Sequence, residues 1–267
     1  MNVMHIKSSN SIGNEEISSL GKVLQTYNDL QNLILWLRHN NITKEGLSNF
    51  AESLSNCTKI RQFTLLYSYN KFELQTVQII SQLISKFVCL QSLYLDLSQS
   101  GYFQFKFNKN DAICLSSALE KLTQLQNLKL QLSSRSFDDE KVEVLVPALK
   151  SLKNLKQLNL DLNFNQIGNR GLSSLAQSFQ CANLSTIKLI LSFNNFGKEG
   201  ITNLCSALQQ SKNLKSLALD LKYNQQRIDD EQAILLSSAI TECSNLLILI
   251  LSISQNNFFT NNFYQSL

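Results

Sequence analysis

The strongest constraint on this chain is that it repeats itself. Apolar segments restart at Leu30, Ile60, Leu90, Leu125, Leu155, Leu184, Leu214 and Leu246, at spacings of 30, 30, 35, 30, 29, 30 and 32 residues. The unit NLKQLNLDLNFNQIGNRGLSSLAQSFQCA, from Asn154 to Ala182, matches its neighbour NLSTIKLILSFNNFGKEGITNLCSALQQSK position for position. A unit of this length cannot bury its apolar face alone, so the copies must stack against one another.

Each unit changes period halfway. Leu158, Leu160 and Leu162 alternate, as do Ile187, Leu189 and Leu191, and Leu217, Leu219 and Leu221. Period two predicts a strand with one face turned inward. An asparagine follows three residues later at Asn40, Asn70, Asn165, Asn194, Asn224 and Asn256, where its amide can satisfy backbone groups of the turn. The second half has helical spacing, as in Gly171-Leu172-x-x-Leu175-Ala176-x-x-Phe179, Gly46-Leu47-x-x-Phe50-Ala51 and Gly200-Ile201-x-x-Leu204-Cys205. Stacked strands sit about 4.8 Å apart while helices need about 10 Å, so the stack curves with its strands on the concave side.

The pattern L-x-x-L-x-L-x-L-x-x-N-x-I/F-G-x-x-G, read from Leu155 to Gly171, resembles the leucine-rich repeat family and its ribonuclease-inhibitor-like class of long α/β repeats. The resemblance covers nearly the whole chain. Its Asn- and Gln-rich form is similar to leucine-rich repeat proteins of ciliates. The expected fold is an α/β solenoid, a curved horseshoe with a parallel sheet inside and helices outside. It forms one domain over residues 1–267, with about eight repeats and a partial N-terminal unit. The strand before that partial unit, Val3 to Lys7, has poor side-chain parity and reads as short or bulged.

The remaining sequence narrows the function by exclusion. No stretch of 18 apolar residues occurs, so no membrane-spanning helix is expected, and the first ten residues lack a secretory apolar run. A net charge of +4 over 267 residues is too weak to argue for nucleic acid. The six cysteines form no Cys-x-x-Cys pair and the only histidines are His5 and His39, which argues against a zinc site and for reduced thiols inside the cell. Cys114 and Cys205 fall within helices and read as core residues. No phosphate-binding glycine loop is present, and no Ser or Cys motif points to His39. Asp138, Asp139 and Glu140, like Asp229, Asp230 and Glu231, precede helices and suit the helix dipole. Neither an enzyme nor a cofactor, metal or small-molecule site is expected.

The strand positions between the leucines face the concave side. The column Ile34, Thr64, Tyr94, Lys129, Asn159, Lys188, Ala218, Ile250 runs beside Trp36, Leu66, Asp96, Gln131, Asp161, Ile190, Asp220, Ser252. The next begins at Arg38 and ends with Lys222 and Ser254. Three Asp against three Lys and one Arg make this face nearly neutral, without the basic stripe that nucleic acid requires. Ile34, Trp36, Leu66 and Tyr94 read as one apolar and aromatic group, the composition of a protein-binding hot spot. The competing reading places Trp36 under an N-terminal loop. The third unit has Ser100 in place of the ladder Asn and five extra residues, with Tyr102, Phe103, Phe105 and Phe107 alternating; the fourth has Arg135 there. The insertion either packs on its own solenoid or joins Trp36 and Tyr94 in a partner-binding surface. The resemblance implies a non-enzymatic scaffold for protein partners in the cytoplasm, in a cytoskeletal or ciliary assembly. Its alternatives are a regulator of Ran-type small GTPases and the repeat region of a longer signalling protein.

Overall fold

A leucine at every second position turns one face of each strand toward the helices, and each strand is five residues long. The computed structural model describes residues 3–7, 12–98, 106–134, 136–181, 183–224 and 230–253. Strand and helix alternate throughout: β1 (Val3–Lys7), α1 (Asn14–Leu24), β2 (Asn32–Trp36), α2 (Lys44–Ser53), β3 (Gln62–Leu66), α3 (Thr76–Ile84), β4 (Ser92–Asp96), α4 (Lys109–Glu120), β5 (Asn127–Gln131) and α5 (Asp139–Ser151). The series continues with β6 (Gln157–Asp161), α6 (Asn169–Gln177), β7 (Thr186–Ile190), α7 (Lys198–Gln209), β8 (Ser216–Asp220), α8 (Asp230–Thr241) and β9 (Ile248–Ser252). Among the described residues the strands form one nine-stranded sheet in sequence order, every adjacent pair parallel. The sheet lines the inside of a leucine-rich repeat solenoid and the helices cover its outside.

The register never slips. Leu35, Leu65, Leu95, Leu130, Leu160, Leu189 and Leu219 lie opposite one another across β2 to β8, and all are buried beneath the helices. β1 differs from its expectation: it is a full strand, paired residue for residue from Val3↔Asn32 to Lys7↔Trp36, with no bulge. Parallel pairing is made by backbone groups, so irregular side-chain parity does not prevent it. At the other end, among the described residues, β9 has a strand on one side only. Its Leu249, in register with buried Leu217, is 47% exposed.

The asparagines form the ladder the repeat predicts. The Asn194 amide donates to the carbonyls of Leu162 in the preceding unit (2.9 Å) and Leu191 in its own (3.0 Å), while its Oδ1 accepts from Ile167 N–H (3.0 Å). Asn70 and Asn165 repeat the arrangement, accepting from Ile42 N–H and Phe137 N–H and donating to Leu37 and Leu132. Each asparagine thus ties two turns together at a buried site, where its hydrogen bonds satisfy backbone groups of both. Ser100 and Arg135 lie outside the described residues.

A second ladder at the helix starts is invisible in the repeat consensus. Asn14 Oδ1 accepts from Thr43 N–H (3.0 Å), Asp139 Oδ1 from Gly168 N–H (2.6 Å) and Asn169 Oδ1 from Gly197 N–H (2.7 Å). Thr43, Gly168 and Gly197 precede α2, α6 and α7 and make no side-chain cap of their own. The preceding unit therefore supplies the cap, satisfying free N–H groups that each helix start leaves. This brings the helices so close that a Cβ on Gly171 would lie 2.4 Å from Asp139 Oδ1 and 3.0 Å from its Cα. Gly171→Ala is accordingly expected to destabilise the protein by roughly 1–3 kcal/mol, because relief would require backbone movement. A urea midpoint equal to the parent's would contradict that packing.

Candidate partner-binding face

Because the leucines turn inward, the intervening side chains are delivered to the concave face at fixed strand spacing. Parallel register puts Ile34, Thr64 and Tyr94 in one row, and Trp36, Leu66 and Asp96 in the next. Trp36 is 41% exposed. Ile34 and Tyr94 are half-buried and lie two strands apart, with Thr64 between them.

Leu66 departs from expectation. It points to this face yet is buried, so it offers a partner almost nothing. Beside it the Arg38 Nε and Nη2 both reach Asp96 Oδ2, at 2.6 and 2.5 Å, so that side chain crosses β3 to reach β4. Asp96, 2% exposed, also accepts from Ser68 Oγ (2.8 Å) and Ser98 N–H (3.0 Å). Gln131 continues the network: its Oε1 accepts from Tyr94 Oη (2.5 Å) and Arg38 Nη2 (3.3 Å), and its amide donates to Asp161. Five consecutive units are thereby joined by side chains on the open face. An exposed hot spot spanning Ile34 to Tyr94 is interrupted by this network, and Tyr94 is a member of it.

Beyond Tyr94 the face opens into a shallow depression of about 450 Å³, lined among others by Tyr94, Lys129, Asn159, Thr186, Lys188 and Ala218. The Lys129 ammonium sits 3.8 Å from the centroid of the Tyr94 ring, an electrostatic attraction that fixes its position. Asp161 lies in the adjoining row, two residues beyond Asn159 on β6. Burial pushes its carboxyl above the ordinary value of 3.8, with the Asp96 charge acting in the same direction, while Asn163 N–H, Gln131 and Lys188 oppose the shift. A raised folded value means that ionisation disfavours the fold, a penalty absent below the ordinary value and growing as pH rises through the folded one. Asp161→Asn is therefore expected to stabilise the protein at neutral pH, with the advantage vanishing below about pH 4. Equal thermal midpoints at neutral pH would contradict this environment.

The rim beside this face carries aromatics that the sequence reading passed over. His39, Tyr69, Phe164, Phe193 and Tyr223 each precede a ladder asparagine, all with φ between 52° and 61°. His39 stacks on Tyr69 at 4.2 Å, Phe164 on Phe193 at 4.1 Å and Phe193 on Tyr223 at 4.5 Å. The signal was present as a large ring immediately before those asparagines. A left-handed conformation costs a bulky residue roughly 1–2 kcal/mol. Each of the three stacked pairs returns about 0.5–1.5 kcal/mol beyond the area it buries, which offsets part of the cost at the five left-handed residues.

Tyr102, Phe103 and Phe105 lie outside the described residues. Phe107, at the end of the same insertion, is fully buried and packs on Phe137 at 5.0 Å between ring centroids. Cys57, Cys205 and Cys243 are buried as core residues, whereas Cys89 is exposed. Burial pushes the Cys205 thiol up to about 11, which keeps it protonated and unreactive. Among the described residues no cluster of His, Cys, Asp and Glu has the arrangement to hold a metal ion, and no helix is long and apolar enough to cross a membrane.

A family model described as Leucine Rich repeat matches residues 33–51, 153–176 and 183–205. No curated protein matches the chain by sequence. Among solved structures, the tropomodulin C-terminal domain of Caenorhabditis elegans is similar at 12% identity and a TM-score of 0.47, covering 63% of this chain and 93% of that one. A structure titled leiomodin-1 actin-binding site 2 is similar at 13% identity and a TM-score of 0.46, covering 66% of this chain and 92% of that one. The three matched stretches fall on β2–α2, β6–α6 and β7–α7, one strand–helix unit each, and the remaining described units repeat that geometry. The chain has the fold of a leucine-rich repeat solenoid, and three of its units match that family's model.

Proposed function

We propose that this protein is a non-enzymatic scaffold that holds a protein partner on its concave face. The observation that carries the reading is Trp36, left 41% exposed on the sheet beside a side-chain network that holds the neighbouring strands rigid. A large ring presented on a preorganised surface is the usual anchor of a protein interface, since little conformational freedom is lost when it is covered. Ile34, Trp36 and the exposed part of Tyr94 form the apolar end of the binding surface, with Tyr102, Phe103 and Phe105 of the insertion extending it and Leu66 as its buried floor. Repeat length supports the ribonuclease-inhibitor-like class, and the L-x-L-x-L-x-x-N pattern with its many Asn and Gln residues the ciliate-type variant. Residues 1–267 act as one domain, and the assembly served is cytoplasmic, cytoskeletal or ciliary in this reading.

Site-specific photo-cross-linking tests it. A benzophenone amino acid at Trp36 or Ala218 on the concave face should yield a discrete protein adduct in extracts of the source cell. The same group at Ser48 or Thr202, exposed on the helices, should not. Adducts from the helical positions alone would overturn the proposal.

A further inference from the structure

We propose that the depression around Asn159 receives an acidic, extended segment of the partner, with Lys129 and Lys188 as the two carboxylate-binding groups. The inference rests on the concave-face reading and adds the chemistry of what is bound. The register Lys129↔Asn159↔Lys188 sets the lysines on either side of Asn159, two strand spacings or about 9.6 Å apart at the backbone. Among the described residues lining the depression none is acidic; hydroxyl and amide side chains such as Thr186, Gln157 and Asn127 line it together with apolar residues such as Ala218 and Ile250. The other cations of this face are engaged, Arg38 by Asp96 and Lys222 by Asp220 at 3.6 Å. Lys129 is held over an aromatic ring rather than by a carboxylate. Lys188 feels Asp161 only from the adjoining row.

Two cations flanking the amide of Asn159, in a mixed polar and apolar depression, suit discrete carboxylates. Side chains two residues apart on an extended chain point the same way and lie about 6.7 Å apart, a gap that flexible lysine stems readily match. A continuous phosphate backbone suits the site poorly, because two lysines on separate strands do not make the basic stripe that nucleic acid requires.

The test uses the full chain and fluorescein-labelled decaglutamate in an anisotropy titration at low salt. Salt-sensitive binding is expected, weakened roughly five- to tenfold by Lys129→Gln combined with Lys188→Gln, and unchanged by Lys121→Gln combined with Lys150→Gln on the helical side. In the unmodified protein, carbodiimide coupling should attach the peptide at Lys129 and Lys188, which keeps the question answerable if the double variant fails to fold. Absence of binding, or coupling confined to other lysines, would overturn the proposal. So would equal or tighter binding of a decathymidine oligonucleotide that displaces the peptide. Concave-face photo-adducts without decaglutamate binding would remove the acidic preference and leave the scaffold reading standing.

Discussion

Replacing Leu189 with alanine is expected to cost roughly 2–5 kcal/mol of stability, the range for emptying a close-packed leucine site. Leu189 is fully buried, and its register partners Leu160 and Leu219 occupy the same position in the units on either side. A cavity there is bounded by copies of the same unit, fixed at strand spacing by the sheet, so the surroundings have little freedom to collapse into it. Leu249→Ala supplies the contrast: its side chain is half-exposed in β9, and its loss should cost under about 1 kcal/mol. Denaturant unfolding of both variants checks the pair. Similar losses would show that the inward face is wrongly assigned.

Asn194→Leu is expected to cost roughly 2–6 kcal/mol. The Leu162 and Leu191 carbonyls keep second donors in Asn165 and Asn224, so losing the Asn194 amide costs each about 0.5–1.5 kcal/mol. Ile167 N–H, which donates to Asn194 Oδ1, is left in a dry turn without that acceptor, adding about 1–3 kcal/mol. Hydrogen exchange at Ile167 should accelerate more than at the strand amides of β7. If the variant retained parent stability, the ladder would be a consequence of stacking and not one of its supports.

Most of the architecture was legible because it follows from two periods. Alternation at Leu158, Leu160 and Leu162 and helical spacing from Gly171 to Phe179 are local signals, and repetition amplified each of them. The asparagine ladder was legible for the same reason. What escaped were interactions between units that no single unit encodes. Asp96, held by Arg38 reaching across a strand, and Leu66 are both buried, and periodicity alone assigns both to the open face. The caps that Asn14, Asp139 and Asn169 supply to the following helix escaped because a cap is sought within its own helix. The strand Val3–Lys7 was underestimated because side-chain parity was weighed where backbone pairing decides. The stacked rim aromatics could have been found by asking which residue precedes each ladder asparagine.

The central claim, one unit stacked in parallel register with its open side chains on a single face, is most directly tested by electron–electron spin distances. In a background with Cys89 and Cys114 replaced by serine, one nitroxide is placed at Thr64 and the second in turn at Asn159, Lys188 and Ala218. These positions lie in one row, three, four and five strands from the first. Backbone separations of roughly 14, 19 and 24 Å follow from the strand spacing, so the measured distance should grow by about 5 Å at each step. Distances that fail to increase in that order, or that scatter broadly at every position, would contradict the stack.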